Sequence, residues 1–229
     1  MAAARRWSGD GGKSYNNEMT CSICEARKAK RFCPALRSEI CPQCCGKERE
    51  QTLDCPLDCQ YLTESREHEK KAGLDPETFP YKEIRISESF LRENEELLTS
   101  LAQFVLGAAM QTPGAVDQDV REALDALVRT YKSLESGVYY QSMPQSPVGQ
   151  AIVIQVEEML RHFREEEAEQ SGITRTRDVD VLGVLVFLLR LATDEDNSRK
   201  RGRRFMDFLL RHFEPAMAQA QQAPLIVQP

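Results

Sequence analysis

The sequence predicts a mainly α-helical protein in which a small, irregular, cysteine-rich module is followed by an all-α bundle of about five helices. All eight cysteines of the 229-residue chain lie within residues 21–59. The rest of the chain contains no cysteine, and its apolar residues recur at steps of three and four, the period of amphipathic helices. A chain of this length with two such different parts is expected to form a small module and a larger domain.

Composition and charge argue against several classes of protein. The formal net charge is −6 and aromatic residues make up 7% of the chain, which argues against a protein that binds nucleic acid through overall basicity. Residues 1–18 are polar and glycine-rich and lack the apolar segment of a signal peptide, so a cytoplasmic location is expected. The most apolar run, residues 179–191, is shorter than the about 20 residues needed to cross a bilayer, so no membrane segment is expected.

Polar and turn-forming segments divide the chain into five parts. We assign a disordered arm to residues 1–18, the cysteine-rich module to 19–60, an exposed helix and linker to 61–80, the helical domain to 81–214 and a flexible tail to 215–229. The linker carries two prolines, which disfavour helical geometry in the residue before each of them.

Five helices account for the apolar pattern of the helical domain. They are predicted at residues 87–111, 117–136, 146–171, 179–192 and around 205–213. The first two are joined by a short Pro-Gly turn and are expected to pack antiparallel. The fourth is apolar on nearly all sides, so we expect it to be a central helix enclosed by the others.

The cysteine spacing indicates metal binding. Cys-x2-Cys pairs place two thiolates on one tight turn, which is how such knuckles bind a zinc ion. In a reducing compartment these pairs are metal ligands more often than disulfides. Eight cysteines supply four thiolates to each of two zinc ions, and the predicted ligands are Cys21, Cys24, Cys33, Cys41, Cys44, Cys45, Cys55 and Cys59.

This run of cysteine pairs resembles the compact double-zinc fingers of the cross-brace and treble-clef kind, such as RING, MYND, B-box and HIT-type fingers. The resemblance covers about one sixth of the chain. It implies one ion on Cys21, Cys24, Cys41 and Cys44 and a second on the other four cysteines. The adjacent pair Cys44-Cys45 departs from the usual patterns of these fingers, which commonly include a histidine ligand, and a sequential partition of the ligands stays open.

Two other metal interpretations stay open as well. His68 lies nine residues after Cys59 and would complete a set of eight ligands if Cys45 were not one of them. A histidine in such a charged helix is more often simply solvated. Four cysteine thiolates also suit an iron–sulfur cluster, which would indicate a redox protein, but the spacing matches neither ferredoxin pattern and therefore favours zinc.

Two basic clusters are candidates for contacts with phosphate groups or with acidic partners. The first comprises Arg27, Lys28, Lys30 and Arg31. The second comprises Arg199, Lys200, Arg201, Arg203 and Arg204. They suggest an alternative function, a nucleic-acid-binding regulator that uses residues 27–37 and 199–204. The acidic residues 194–196 beside the second cluster favour a self-compensating loop instead.

No catalytic motif is found in the sequence. The patterns of zinc proteases, nucleophile elbows and dinucleotide-binding turns are absent, and no histidine follows a glutamate at the spacing of di-iron bundles. Because a catalytic zinc keeps an open coordination position that a fourth cysteine fills, the zinc is expected to be structural. We therefore predict a non-enzymatic, cytoplasmic, zinc-binding adaptor that binds a protein partner and whose helical domain binds another protein or self-associates.

Overall fold

The computed structural model describes residues 19–69 and 79–213 and confirms a mainly helical protein with a small cysteine-rich N-terminal part. Three predicted features lie wholly or partly outside the described residues: the arm at residues 1–18, the linker within residues 70–78, and the tail at residues 215–229.

The chain forms two compact units. The first ends at Arg49 and the second begins at Glu50. The boundary falls inside the segment that the cysteine spacing assigns to one module, because Cys55 and Cys59 belong to the second unit together with the helices.

The first unit is a hairpin followed by a short helix. Strands β1 (Arg31–Cys33) and β2 (Ser38–Ile40) pair antiparallel, with Phe32 opposite Glu39. Helix α1 (Pro42–Glu48) follows directly, with proline in its first turn, where the missing N–H costs no helical hydrogen bond.

Seven α-helices form most of the described part of the second unit. Its helices are α2 (Gln60–His68), α3 (Glu88–Glu93), α4 (Glu95–Gln111), α5 (Asp117–Glu135), α6 (Pro147–Ser171), α7 (Asp178–Asp194) and α8 (Arg204–His212). Ser146 caps α6 by accepting a hydrogen bond from the Gly149 N–H, and Gly172 ends it with a left-handed φ of 74°. The segment predicted as one helix from residue 87 is divided at Asn94 into α3 and α4.

Helix α7 is largely buried, as its apolar sequence predicts. Ten of its residues are buried, and it packs against both α4 and α5. The prediction that the first two long helices form an antiparallel pair is wrong, because α4 and α5 each pack against α6 and α7 instead. Because α7 is apolar on nearly all sides, it offers α4 and α5 more apolar surface to bury than an amphipathic neighbour does.

Two contacts attach the segment before α4 to α7. A Cβ atom at Gly183 would lie 2.4 Å from the ring of Phe90, so glycine is needed for α3 to approach this closely. The guanidinium group of Arg190 donates hydrogen bonds to the carbonyl oxygens of Tyr81 and Ile84 over 2.7 and 2.9 Å.

Helix α2 forms where the sequence predicts an exposed helix, but one of its faces is buried. Leu62 is 1% exposed. Arg66 lies 2.9 Å from a carboxylate oxygen of Glu50 and 2.9 Å from one of Asp207, which belongs to α8. Residues 50–69 are therefore anchored to the C-terminal helix of the second unit.

Candidate metal centre

Four cysteines converge in the first unit. Cys21 and Cys24 lie on a tight turn in which the Glu25 N–H donates to the Cys21 carbonyl oxygen over 2.8 Å. Cys41 is the N-cap residue of α1, and its Sγ atom accepts a hydrogen bond from the Cys44 N–H over 3.4 Å. The four Sγ atoms all lie within 4.8 Å of one another. The two Cys-x2-Cys pairs therefore form one site.

The β-hairpin brings the two pairs together. The Ser22 N–H donates to the carbonyl oxygen of Glu39 over 3.0 Å, which ties the first cysteine turn to β2. The Lys30 N–H donates to the carbonyl oxygen of Ile40 over 3.0 Å. Because β2 ends at Ile40, the next residue, Cys41, begins α1 beside the first pair.

The site has the size and the chemistry of a tetrahedral metal site. Zinc–sulfur bonds of about 2.3 Å place the four sulfurs of a tetrahedron about 3.8 Å apart, so only a small contraction is needed. Cys21, Cys41 and Cys44 are buried, and Cys24 is half-buried. The four side chains can therefore hold a metal ion such as zinc, and they are the four that the resemblance assigned to one ion.

The surroundings of the four cysteines lower the pKa of some thiols and raise that of another. Backbone N–H groups of Ala26 and Arg27 lower the pKa of Cys24 to about 6, and the N–H of Cys44 lowers the pKa of Cys41. Burial raises the pKa of Cys44 to about 11, although the guanidinium of Arg27 donates to its sulfur over 3.4 Å. A bound divalent cation holds all four residues as thiolates and offsets the cost of burying their charge.

The sulfur of Cys45 has a separate set of cationic neighbours. The guanidinium groups of Arg31 and Arg49 donate to it over 3.5 and 3.6 Å. Two cationic side chains therefore lie beside a sulfur that is not part of the four-cysteine group.

The other predicted ligands are divided between the units. Cys33 and Cys45 belong to the first unit, and Cys55 and Cys59 belong to the second. Within the described residues, none of these four cysteines belongs to a close group of potential metal ligands, and neither does His68. A second metal ion and a role for His68 therefore stay predictions.

Two arginines of the first basic cluster face sulfur atoms. Arg27 donates to Cys44 and to the side chain of Gln43, and this contact with Cys44 raises the pKa of Arg27. Arg31 donates to Cys45. Lys28 and Lys30 are exposed to solvent.

Two arginines of the second basic cluster form ion pairs within the second unit. Arg203 pairs with Asp54 at 2.7 Å. Arg204 pairs with Glu195 at 3.0 Å and with Glu69 at 3.5 Å. The partners at positions 54 and 69 could not be identified from the sequence, because they lie far from Arg203 and Arg204 along the chain. The one sequence signal for them is the acidic excess of residues 50–69.

The other members of this cluster lie in the loop before α8. Lys200 and Arg201 are exposed, and the guanidinium of Arg201 is 3.9 Å from the carboxylate of Asp54. Arg199 is half-buried, and its backbone N–H donates to the side chain of Asn197. A role of these residues in binding phosphate stays a prediction.

No known family model matches the chain, and comparisons with curated proteins and with solved structures return no match. Among residues 19–69 and 79–213, no helix combines the length and the apolar character of a membrane span.

Proposed function

We propose that this chain is a non-catalytic zinc-binding protein whose zinc-stabilised first unit and helical second unit bind other proteins. The observation that carries the proposal is the set of four cysteine sulfurs within 4.8 Å of one another. A catalytic zinc keeps a position for water or substrate, whereas four thiolates complete the tetrahedral shell. The zinc therefore stabilises the fold and activates no substrate.

The small core of the first unit supports a structural role for the metal. Ile40 is the one hydrophobic residue other than cysteine that is buried within residues 19–49. So small a core supplies too little hydrophobic stabilisation for independent folding, and metal binding contributes the difference. The order of a Cys-x2-Cys turn, a hairpin and a helix that begins at the second pair supports a treble-clef type of finger.

We assign a second zinc ion on the basis of the cysteine spacing. Its ligands are proposed among the cysteines that the first site does not use, as the resemblance to double-zinc fingers implies. The two guanidinium groups beside the Cys45 sulfur support this assignment, because positively charged side chains offset the negative charge of a metal site built from thiolates. Clustered Cys-x2-Cys pairs that bind metal are typical of a reducing compartment, so we propose the cytoplasm as the location.

The surface of the first unit supports protein binding. Met19, Phe32 and Leu36 are 62%, 53% and 42% exposed, and Met19 and Phe32 line the same open depression. Adjacent exposed apolar side chains are a feature of protein-binding surfaces. Residues 19–49 also carry seven Lys or Arg against three Asp or Glu, a net charge of +4 that four thiolates and one Zn2+ reduce to about +2. Because both lysines of the first basic cluster are exposed, we propose an acidic protein surface as the partner of this unit.

Metal analysis of the purified full-length chain tests the zinc proposal. We expect native mass spectrometry to find two zinc ions per chain, one fewer in Cys24→Ser and one fewer in Cys59→Ser, with Ser22→Ala unchanged as the control. A single ion that only Cys24→Ser removes would refute the second site. A chain without zinc, or with iron and a visible thiolate-to-iron absorption band, would refute the proposal as a whole.

Co-purification tests the interaction role. Among the proteins recovered with the tagged chain from its source cells, those bound by the first unit should be lost when zinc is chelated and when Phe32→Ser is introduced. Ile154→Ser is the matched control, because Ile154 is 56% exposed on α6. Recovery of nucleic acid in place of protein, with a salt-dependent affinity, would favour the nucleic-acid alternative.

A further inference from the structure

The second unit contains an open apolar groove of about 500 Å³. It lies between the loop that precedes α2, the end of α4 and the helix α8. Its lining includes the buried side chains of Ala109, Ala115 and Met206, the half-buried Leu57 and Leu210, and Met110, which is 54% exposed. The volume lies within the range of about 300 to 1,000 Å³ that ligand-binding clefts have.

The lining suits an apolar segment with a variable side chain. Two of its deeper residues, Ala109 and Ala115, are small, so space remains above them. Met110 and Met206 have flexible, polarizable side chains that adapt to differently shaped apolar groups. Exposed methionine in an apolar groove is a common feature of surfaces that bind peptides.

The charges around the groove are negative. Asp58 is exposed in the lining. Helix α4 ends here at Gln111 with no basic residue in its last turn, so the negative end of its dipole is not compensated by its own side chains. Glu50, Asp54 and Glu69 are paired with arginines of the same unit, so the acidic side chain that faces the groove is Asp58.

The basic residue of the lining does not reverse this charge. The Nε atom of Arg203 donates to the carbonyl oxygen of Ala115 over 3.0 Å, and its Nη2 atom pairs with Asp54 at 2.7 Å. Its side chain is 15% exposed. The charge of Arg203 is therefore already neutralised within the unit.

We propose that this groove binds an apolar segment of a partner protein that carries a lysine or arginine next to its apolar anchor. The apolar anchor occupies the space above Ala109 and Ala115, and the basic side chain lies near Asp58 and the end of α4. The proposal rests on the interaction role proposed above. All the lining residues belong to the helical unit, and the first metal site contributes none of them, but residues 56–58 of the lining lie between the proposed zinc ligands Cys55 and Cys59.

Selection of short random peptides displayed on phage against the zinc-loaded full-length chain tests this proposal. We expect enriched sequences with one or two large aliphatic residues beside Lys or Arg. A synthetic peptide with the consensus sequence should bind the wild-type protein with a Kd in the micromolar range. It should bind the Met110→Asp variant at least about tenfold more weakly. Ile154→Asp is the matched control and should bind like the wild type, because Ile154 is similarly exposed outside the groove.

A charge exchange tests the electrostatic part. Replacing the basic residue of the peptide with glutamate should abolish binding to the wild type, and Asp58→Lys should restore it. Enrichment of acidic peptides, or of peptides whose affinity Met110→Asp does not change, would overturn the proposal.

Two further results would overturn the proposal by showing that something other than a partner protein occupies the groove. Binding seen only with a chain that ends at Phe213 would show that the chain's own residues 214–229 compete for the groove. Dimerisation of the wild type that Met110→Asp abolishes would assign the groove to a second copy. Zinc stoichiometry measured on the same samples separates failure of this proposal from failure of the zinc proposal.

Discussion

Arg66 donates a hydrogen bond to the carboxylate of Glu50 over 2.9 Å, and the two side chains are only 4% and 1% exposed. The same carboxylate accepts hydrogen bonds from the side chain of Asn197 and from the backbone N–H of Arg203, each over 2.9 Å. One buried acid therefore joins the start of the second unit to α2 and to the loop before α8. Residues 51–65, which include two of the proposed zinc ligands, are held on the helical unit in this way.

Removal of this carboxylate should destabilise the second unit strongly. Glu50→Ala leaves the guanidinium of Arg66 buried with one acidic partner instead of two, so we expect the free energy of unfolding to fall by about 3–5 kcal/mol. Urea unfolding followed by far-UV circular dichroism measures it. Glu166→Ala, at an exposed position on α6, makes the same chemical change and should have little effect. A loss below about 1 kcal/mol for Glu50→Ala would contradict this account.

The stability of the second unit should depend on pH through Asp117. Its carboxylate accepts hydrogen bonds from the N–H groups of Phe205 and Met206 at the start of α8, and burial raises its pKa from 3.8 to about 7. The folded chain binds more protons than the unfolded chain between these pH values. The contribution of Asp117 to the free energy of unfolding is therefore largest at low pH and falls as the pH rises towards about 7.

Comparison with Asp117→Asn isolates this contribution, because asparagine does not titrate. We expect the wild type to gain stability relative to Asp117→Asn as the pH is lowered from 8 to 5.5, measured by urea unfolding at each pH. A stability difference that stays constant, or that changes in the opposite direction, would contradict the raised pKa.

Removal of metal should affect the two units differently. The first unit buries one hydrophobic residue other than cysteine within residues 19–49, whereas the second has an extensive apolar core around α7. Chelation under reducing conditions should therefore abolish the dispersed NMR signals of the hairpin β1–β2 while most helical circular dichroism remains. Re-addition of zinc should restore the hairpin signals. Loss of the helical signal together with the metal would show that the second unit also requires it.

Two glycine substitutions should have opposite effects. Gly183→Ala places a Cβ atom 2.4 Å from the ring of Phe90, so overpacking should cost about 1–3 kcal/mol of unfolding free energy. Gly107→Ala is the matched control within α4, because its Cβ would lie 4.0 Å from the side chain of Gln111, and it should stabilise the chain by up to about 1 kcal/mol. Thermal unfolding of the two variants measures both effects. Equal stability of Gly183→Ala and the wild type would refute the close packing of α3 on α7.

Local sequence signals predicted much of the fold. The Ser146-Pro147 start and the Gly172 end of α6 follow from the chemistry of helix ends, and the uniform apolar character of α7 predicted its burial. The spacing of the cysteines and their resemblance to zinc fingers predicted the group of four that the hairpin brings together.

Features that depend on distant residues were not predictable in this way. The packing of α4 and α5 on α6 and α7 instead of on each other depends on the apolar area that each neighbour offers, which no single segment encodes. The ion pairs of Arg203 with Asp54 and of Arg204 with Glu69 join residues more than a hundred positions apart. A basic run that looked like a phosphate site therefore contains side chains that hold the second unit together.

X-ray absorption at the zinc K-edge of the purified full-length chain tests the central claim most directly. If zinc is held by cysteine alone, every zinc should have four sulfur neighbours at about 2.3 Å and no nitrogen or oxygen neighbour. The same coordination should persist in His68→Ala. A nitrogen or oxygen neighbour in the wild type would show an open or histidine-containing site and would contradict a closed, structural metal centre.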